Sequence, residues 1–240
     1  PMVSFRSHLA TRGMMPASFR RLAPIVGAAC LLMPTRGAAA DASAAIDAWI
    51  TSQRDLRTWS ADFTQTRTLK SLTKPLVSAG KAWFASPDRF RWETFSPAPT
   101  VAVRDADQML VIYPRLKRAE RYSLGTSGPM GDLLSVLDAG FPRDRKTFDA
   151  KFRLISATVT EGRWEFRMEP ARHLARKFVP RLAVWVSADR HELMSFEITF
   201  TDGSRMHTTF TGAIVNQPIP DEVFRPRIPP DVTLTEPLHQ

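Results

Sequence analysis

From residue 59 the chain takes up a period of two. Trp59, Ala61 and Phe63 alternate with Ser60, Asp62 and Thr64, and the polar row continues through Thr66 and Thr68. That period puts the apolar side chains on one face of a strand. Segments 77–85, 89–95, 101–104, 108–113 and 117–122 follow as short strands, parted by the Pro, Gly, Asp and Ser that turns require. Strand patterning resumes at 152–160, 163–169, 181–187, 193–201 and 204–211. Glu161-Gly162 and Asp202-Gly203 predict two-residue hairpins, and Asp189-Arg190-His191 predicts a turn.

Three stretches break this rhythm. Residues 41–57 predict a helix capped by Asp41 or Ser43, because Ala45, Ile46, Trp49, Ile50 and Leu56 recur near a helical period. Between 124 and 149 a glycine-rich approach, Gly125 to Gly131, leads into one or two apolar helical turns formed by Met130 and 132–137, and then a polar loop over 142–147. About 25 residues cannot bury a core of their own, so this stretch reads as a lid or insertion. From Asn216 onward six of the nineteen prolines keep the tail extended, at most as an edge strand. Ten or eleven strands with two or three helices predict one large antiparallel sheet, curled or partly closed.

The first forty residues have a different character. They contain Arg6, Arg12, Arg20, Arg21 and Arg36, no acid, an apolar centre from Leu22 to Met33, and the small residues Ala38, Ala39 and Ala40. A dozen apolar residues suit the centre of an export signal and are too few to span a bilayer. The expectation is therefore a cleaved signal over 1–40, with Met14 or Met15 as the start, and a single exported domain over 41–240 in the periplasm. Cys30 lacks the large aliphatic residue of a lipid-attachment motif three positions before it, and Arg20-Arg21 lacks the rest of a twin-arginine pattern. Cleavage leaves no cysteine, so stability must come from burial. It also lowers the net charge from +9 to +4, which gives no warrant for nucleic acid as a partner.

Reactive constellations are not apparent in the sequence. His173, His191 and His207 fall in a loop, a turn and a strand without metal-ligand spacing, and no metal site is expected. No Gly-x-Ser-x-Gly elbow occurs, and the glycine-rich 125–131 lacks the Lys-Ser/Thr end of a phosphate loop. Asp105, Asp107 and Asp132 suit turns and caps. No catalytic residue and no cofactor are assigned. Arg89-Phe90-Arg91-Trp92 interleaves charge and rings, but a strand sends Arg89 and Arg91 to one face and Phe90 and Trp92 to the other. Arginines outward and rings inward is the expected arrangement.

Rings are plentiful: Phe63, Trp83 or Phe84, Phe90, Trp92, Phe95, Trp164, Phe166, Trp185, Phe196, Phe200 and Phe210. Most must fill the core. A single curled sheet, however, has a concave face that a few short helices fill incompletely, and such a face becomes a ligand cavity. An acyl chain buried there gains ~0.8 kcal/mol per methylene and asks for no polar chemistry.

In order along the chain, Phe63-Thr64-Gln65, Gly80 to Phe84, Pro87 to Trp92, Pro97, Asp107 to Pro114, Ile219 to Phe224 and Ile228 to Val232 resemble the LolA family of periplasmic lipoprotein carriers. The resemblance implies a mainly β fold with α, an open antiparallel half-barrel of about eleven strands covered by two or three helices. It implies a monomer that takes acylated lipoprotein, or another lipid, from an inner-membrane transporter to an outer-membrane acceptor. It places Phe90, followed by Trp92, at the cavity or the transporter, and Met130, Leu133, Leu134 and Leu137 on a lid; of the inward rings, Phe63 and Phe84 are expected at the lipid beside them. Carriers of that family have an arginine before the proline of Pro-x-x-Phe-x-Trp, where it latches the lid. This chain has Ser86 there, leaving Arg89 or Arg91 as candidate latches. Two other classes stay open. A lipid-sensing envelope regulator would call for a second domain, and a lipid-acting hydrolase would call for a Ser/His/Asp cluster in the cavity.

Overall fold

A computed structural model describes residues 36–124 and 140–236, with side chains from residue 42 onward. Helix α1 (Arg36–Ser52) precedes strands β1 (Thr58–Thr68), β2 (Leu76–Ala85), β3 (Arg89–Ser96), β4 (Thr100–Asp105), β5 (Gln108–Tyr113) and β6 (Arg118–Ser123). After the connection come α2 (Arg145–Lys151), β7 (Phe152–Thr160), β8 (Arg163–Pro170), α3 (His173–Arg176), β9 (Arg181–Ser187), β10 (Leu193–Thr199), β11 (Arg205–Val215) and β12 (Thr233–Thr235).

All twelve strands form one sheet in the order β12-β6-β5-β4-β3-β2-β1-β11-β10-β9-β8-β7. Its edges, β12 and β7, do not pair with each other, so the sheet is an open half-barrel. Each hairpin neighbour is antiparallel, and β1 joins the two halves by pairing with β2 on one side and β11 on the other. The tail departs from an extended course at the 3-10 turn Asp221–Phe224, and Thr233–Thr235 pairs as an edge strand, parallel to β6.

The core lies between the inward face of the sheet and the helices. In α1, Ala45, Ile46, Trp49 and Ile50 are buried along one stripe, each large side chain contributing roughly 1.5–3 kcal/mol. Trp49 stacks on Phe166 with ring centroids 5.2 Å apart, and Phe166 stacks in turn on Trp164. The helix begins earlier than 41 and ends at Ser52, so it runs through the predicted cleavage junction after Ala40. A second difference falls at 142–147, where the pattern predicts loop. There Asp144 caps α2 by accepting hydrogen bonds from the Thr147 amide (2.8 Å) and hydroxyl (2.7 Å), and Arg145 pairs with Asp149 one turn on. A third concerns Asp202-Gly203, which sits inside a longer turn closed by the Phe200 amide on Ser204 O, with Asp202 bonded to the Ser204 amide and hydroxyl. Glu161 and Gly162 both have positive φ, as the two-residue hairpin requires.

Candidate functional site

Three cross-strand rows on the inward face of β1, β2 and β3 shape a pocket. Trp59 pairs with Phe84 and Phe84 with Phe90, giving a row of rings. In the next row Ala61 faces Ala82, and Ala82 faces Trp92. In the third, Phe63 lies across Gly80. Two alanines between aromatic rows leave a depression where larger side chains would fill the space. Gly80 is what brings Phe63 down to the sheet. A Cβ there would lie 2.6 Å from Phe63 Cζ and 2.0 Å from Glu93 O. With glycine in place, Phe63 stacks on Trp92 at 4.1 Å.

Strands β9, β10 and β11 supply the other wall: Leu182, Val184, Leu193, Phe196 and Phe210. Trp59 meets Phe210 edge to face at 5.0 Å, and Trp92 meets Phe196 and Phe210 at 6.2 and 6.1 Å. The strap Gly140 to Arg143 covers the pocket. Gly140 permits its close approach, since a Cβ would stand 3.1 Å from Leu193 Cδ2. Phe141 stacks on Phe84 at 4.6 Å and meets Trp59 at 5.1 Å. Arg143 then donates to Ser86 Oγ (2.7 Å) and Pro87 O (2.9 Å), its guanidinium lying over the Phe84 ring. Every side chain lining the pocket is apolar or aromatic, and its free volume is about 20 Å³, room for roughly one water. Such a lining can hold alkyl groups; among the described residues it contains no nucleophile, acid or base. Asp144, which follows the strap, is held below the usual carboxylate range by the Thr147 hydroxyl and amide that it caps.

Of the residues singled out in the sequence, Phe84, Phe90 and Trp92 line the pocket, and Phe63 is buried behind Trp92. Met130, Leu133, Leu134 and Leu137 lie outside the described residues. Arg89 and Arg91 project from the opposite, convex face. There the C-terminal turn Asp221–Phe224 packs Phe224 against Ala85 and Val103. Arg89 bonds Asp221 at 2.6 Å and lies over the Phe224 ring, while Arg91 pairs with Glu93 and donates to Val223 O. The arginine that reaches across to the position of Ser86 is Arg143. Trp59 reads in sequence only as one more inward ring. Phe141 and Arg143 give no signal there, because an isolated Phe-Pro-Arg in a polar stretch carries no periodicity. Only nearness in space to Ser86 and Phe84 reveals them. His207 packs edge-on to Trp185 at 5.3 Å, and no cluster of metal-ligating side chains occurs among the described residues.

A half-barrel whose concave face carries an apolar, strap-covered pocket defines a fold rather than one chemistry. The family is more particular. The profile of the family described as "Outer membrane lipoprotein carrier protein LolA" matches residues 54–227, and the chain belongs to that family. No match was found among curated proteins. Among solved structures the chain is similar to an uncharacterized conserved protein of Thermus thermophilus, with 7% identity and a TM-score of 0.49 over 81% of this chain and 98% of that one. It is similar to a LolA superfamily protein of Nitrosomonas europaea (10% identity, TM-score 0.41, 74% and 96% covered). It is also similar to MucB, solved in the MucA/MucB complex of Pseudomonas aeruginosa (13% identity, TM-score 0.40, 76% and 60% covered).

Proposed function

We propose that this protein is a periplasmic carrier that shields the acyl chains of lipoproteins, or of a related lipid, on their way from an inner-membrane transporter to an outer-membrane acceptor. The observation that carries this reading is the unbroken apolar lining of a strap-covered pocket in a LolA-family chain. A lipid-acting hydrolase would need a nucleophile and a base at the bound chain, and the lining contains neither among the described residues.

With about 20 Å³ free, the pocket is too small to admit an acyl chain as it stands. Loading must move Phe141 off Phe84 and break the two Arg143 bonds. Two exposed hydrogen bonds cost about 1–3 kcal/mol together and uncovering a Phe ring about 1.5–3. An acyl chain returns ~0.8 kcal/mol per methylene, so roughly four to eight methylenes offset the opening. Long chains therefore load and short ones do not.

Phe90 is half-exposed at the pocket, so Phe90→Glu is compatible with folding and puts a charge against the chain. Titration with a fluorescent long-chain fatty acid should show at least tenfold weaker binding than the parent at unchanged thermal stability. Equal binding would remove this pocket as the cargo site.

A further inference from the structure

Antiparallel pairing sorts the hairpins to two ends of the half-barrel. Thr68 beside Arg205, Ala79 beside Ser96, Tyr113 beside Arg118 and Thr199 beside Arg181 place five connections at one end. These are β1–β2 (69–75), β3–β4 (97–99), β5–β6 (114–117), β8–β9 (171–180) and β10–β11 (200–204). The hairpins β2–β3, β4–β5, β7–β8 and β9–β10 turn at the other end.

The two ends differ in charge. The five connections of the first contain seven basic residues, among them Lys70, Lys74, Arg115, Lys117 and Lys177, against Asp202, and the tail adds Asp231, which pairs with Lys117 at 3.3 Å. The four hairpins of the second contain Arg190 against Asp88, Asp107, Glu161, Asp189 and Glu192. The distribution of exposed large apolar side chains follows the same division. Of the twelve among the described residues, seven lie on or beside the connections of the basic end: Leu72 with Leu76 and Val77 beside it, Phe95, Leu116, Leu174 and Phe178. Leu116 is 66% exposed, and Phe178 57%. Scattered surface leucines are ordinary. Single apolar tips on separate connections, Leu72, Leu116, Leu174 and Phe178, each with a lysine or arginine within two residues, and none on the hairpins of the other end among the described residues, are a different pattern.

We infer that the basic end of the half-barrel is a docking surface for an anionic phospholipid bilayer. Isolated apolar side chains on separate tips suit a fluid plane that admits each one independently, entering at the boundary between headgroups and acyl chains. The lysines and arginines beside them meet a negative surface potential, each basic residue near such a surface strengthening binding about fivefold. The contacts are reversible, because no helix among the described residues is long and apolar enough to cross a membrane. This inference stands apart from the cargo reading, since the lining of the pocket contributes none of these tips.

The test is flotation of protein recovered from the envelope of an exporting bacterium with vesicles of phosphatidylcholine and phosphatidylglycerol at about seven to three, compared with pure phosphatidylcholine. The parent should float with the anionic vesicles, at least tenfold less with the neutral ones, and less as salt rises from about 0.1 to 1 M, when the screening length shrinks from about 10 to 3 Å. Leu116→Ser with Phe178→Ser should lower partitioning about tenfold or more, and Lys70→Ser with Lys74→Ser about twentyfold. Val159→Ser with Ile214→Ser, exposed positions away from this end, should leave it unchanged. All are surface positions at which folding is expected to survive. Absence of flotation, equal flotation with neutral vesicles, or equal losses from the control pair would overturn the inference. So would association that needs an added protein partner. Fatty-acid titration of the same variants keeps the two proposals separate, because loss of flotation with unchanged acyl binding concerns this surface alone.

Discussion

Gly80 and Phe141 set the limits of the pocket from below and above. Gly80 permits the close stacking of Phe63 on Trp92, so Gly80→Ala should cost at least the ~1–3 kcal/mol typical of overpacking. In thermal unfolding this appears as a Tm several degrees lower; an unchanged Tm would show that the ring packing is slack. Phe141→Ala acts in the opposite sense on function. Removing the ring that fills the mouth should raise the affinity and the loading rate for a long-chain fatty acid, although the protein becomes less stable. Stopped-flow fluorescence distinguishes this from a lining role, in which affinity would fall. The inward rings of β3 are legible from the alternation of Arg89-Phe90-Arg91-Trp92, because a strand allows only two directions. Phe141 and Arg143 are not legible, since their importance lies in contacts to residues distant in the chain, Phe84 and Ser86.

Among elements, the strands are readable because half-buried strands must alternate, and segments 108–113, 152–160 and 181–187 coincide with β5, β7 and β9. Helix α2 is not, because seven residues rich in Arg, Lys and Asp carry almost no apolar period. Its formation depends on the Asp144 cap and on Phe148, buried in the core. Asp144→Ala should lower the midpoint of urea unfolding measurably, and Asp144→Asn markedly less, since asparagine caps nearly as well as aspartate. Equal losses from the two would mean that charge, not the cap, is what the helix needs. The C-terminal turn is held on the convex face partly by Arg89 and Asp221, whose carboxyl is kept below its ordinary range by the Arg89 hydrogen bond and charge. A lowered folded pKa means the stabilisation is present above the unfolded pKa and lost as pH falls through the folded one. Amide exchange at Val223 and Arg225, corrected for intrinsic rate, should therefore accelerate in acid. Asp221→Asn should show at neutral pH what the parent shows only in acid. Exchange that ignores both would mean Phe224 packing alone holds the turn.

At the scale of the whole molecule, the half-barrel follows from strand rhythm and from the ordered resemblance, and the concave pocket follows from an open sheet with too few helices to fill it. What the sequence could not show is the strap over the pocket. Among the described residues one ring and two hydrogen bonds hold it there, which makes binding depend on chain length. Fatty acids of about eight carbons or fewer should bind weakly and those of about fourteen to sixteen well, since each added methylene contributes the same increment. Calorimetry across the series should find affinity rising steeply with length. The carrier reading is tested most sharply by native mass spectrometry of the protein purified from its own envelope. A carrier should bring with it a co-purifying acylated species, greatly diminished on Phe90→Glu. Parent protein that is empty in repeated preparations, or a bound species that Phe90→Glu retains in full, would rule the reading out.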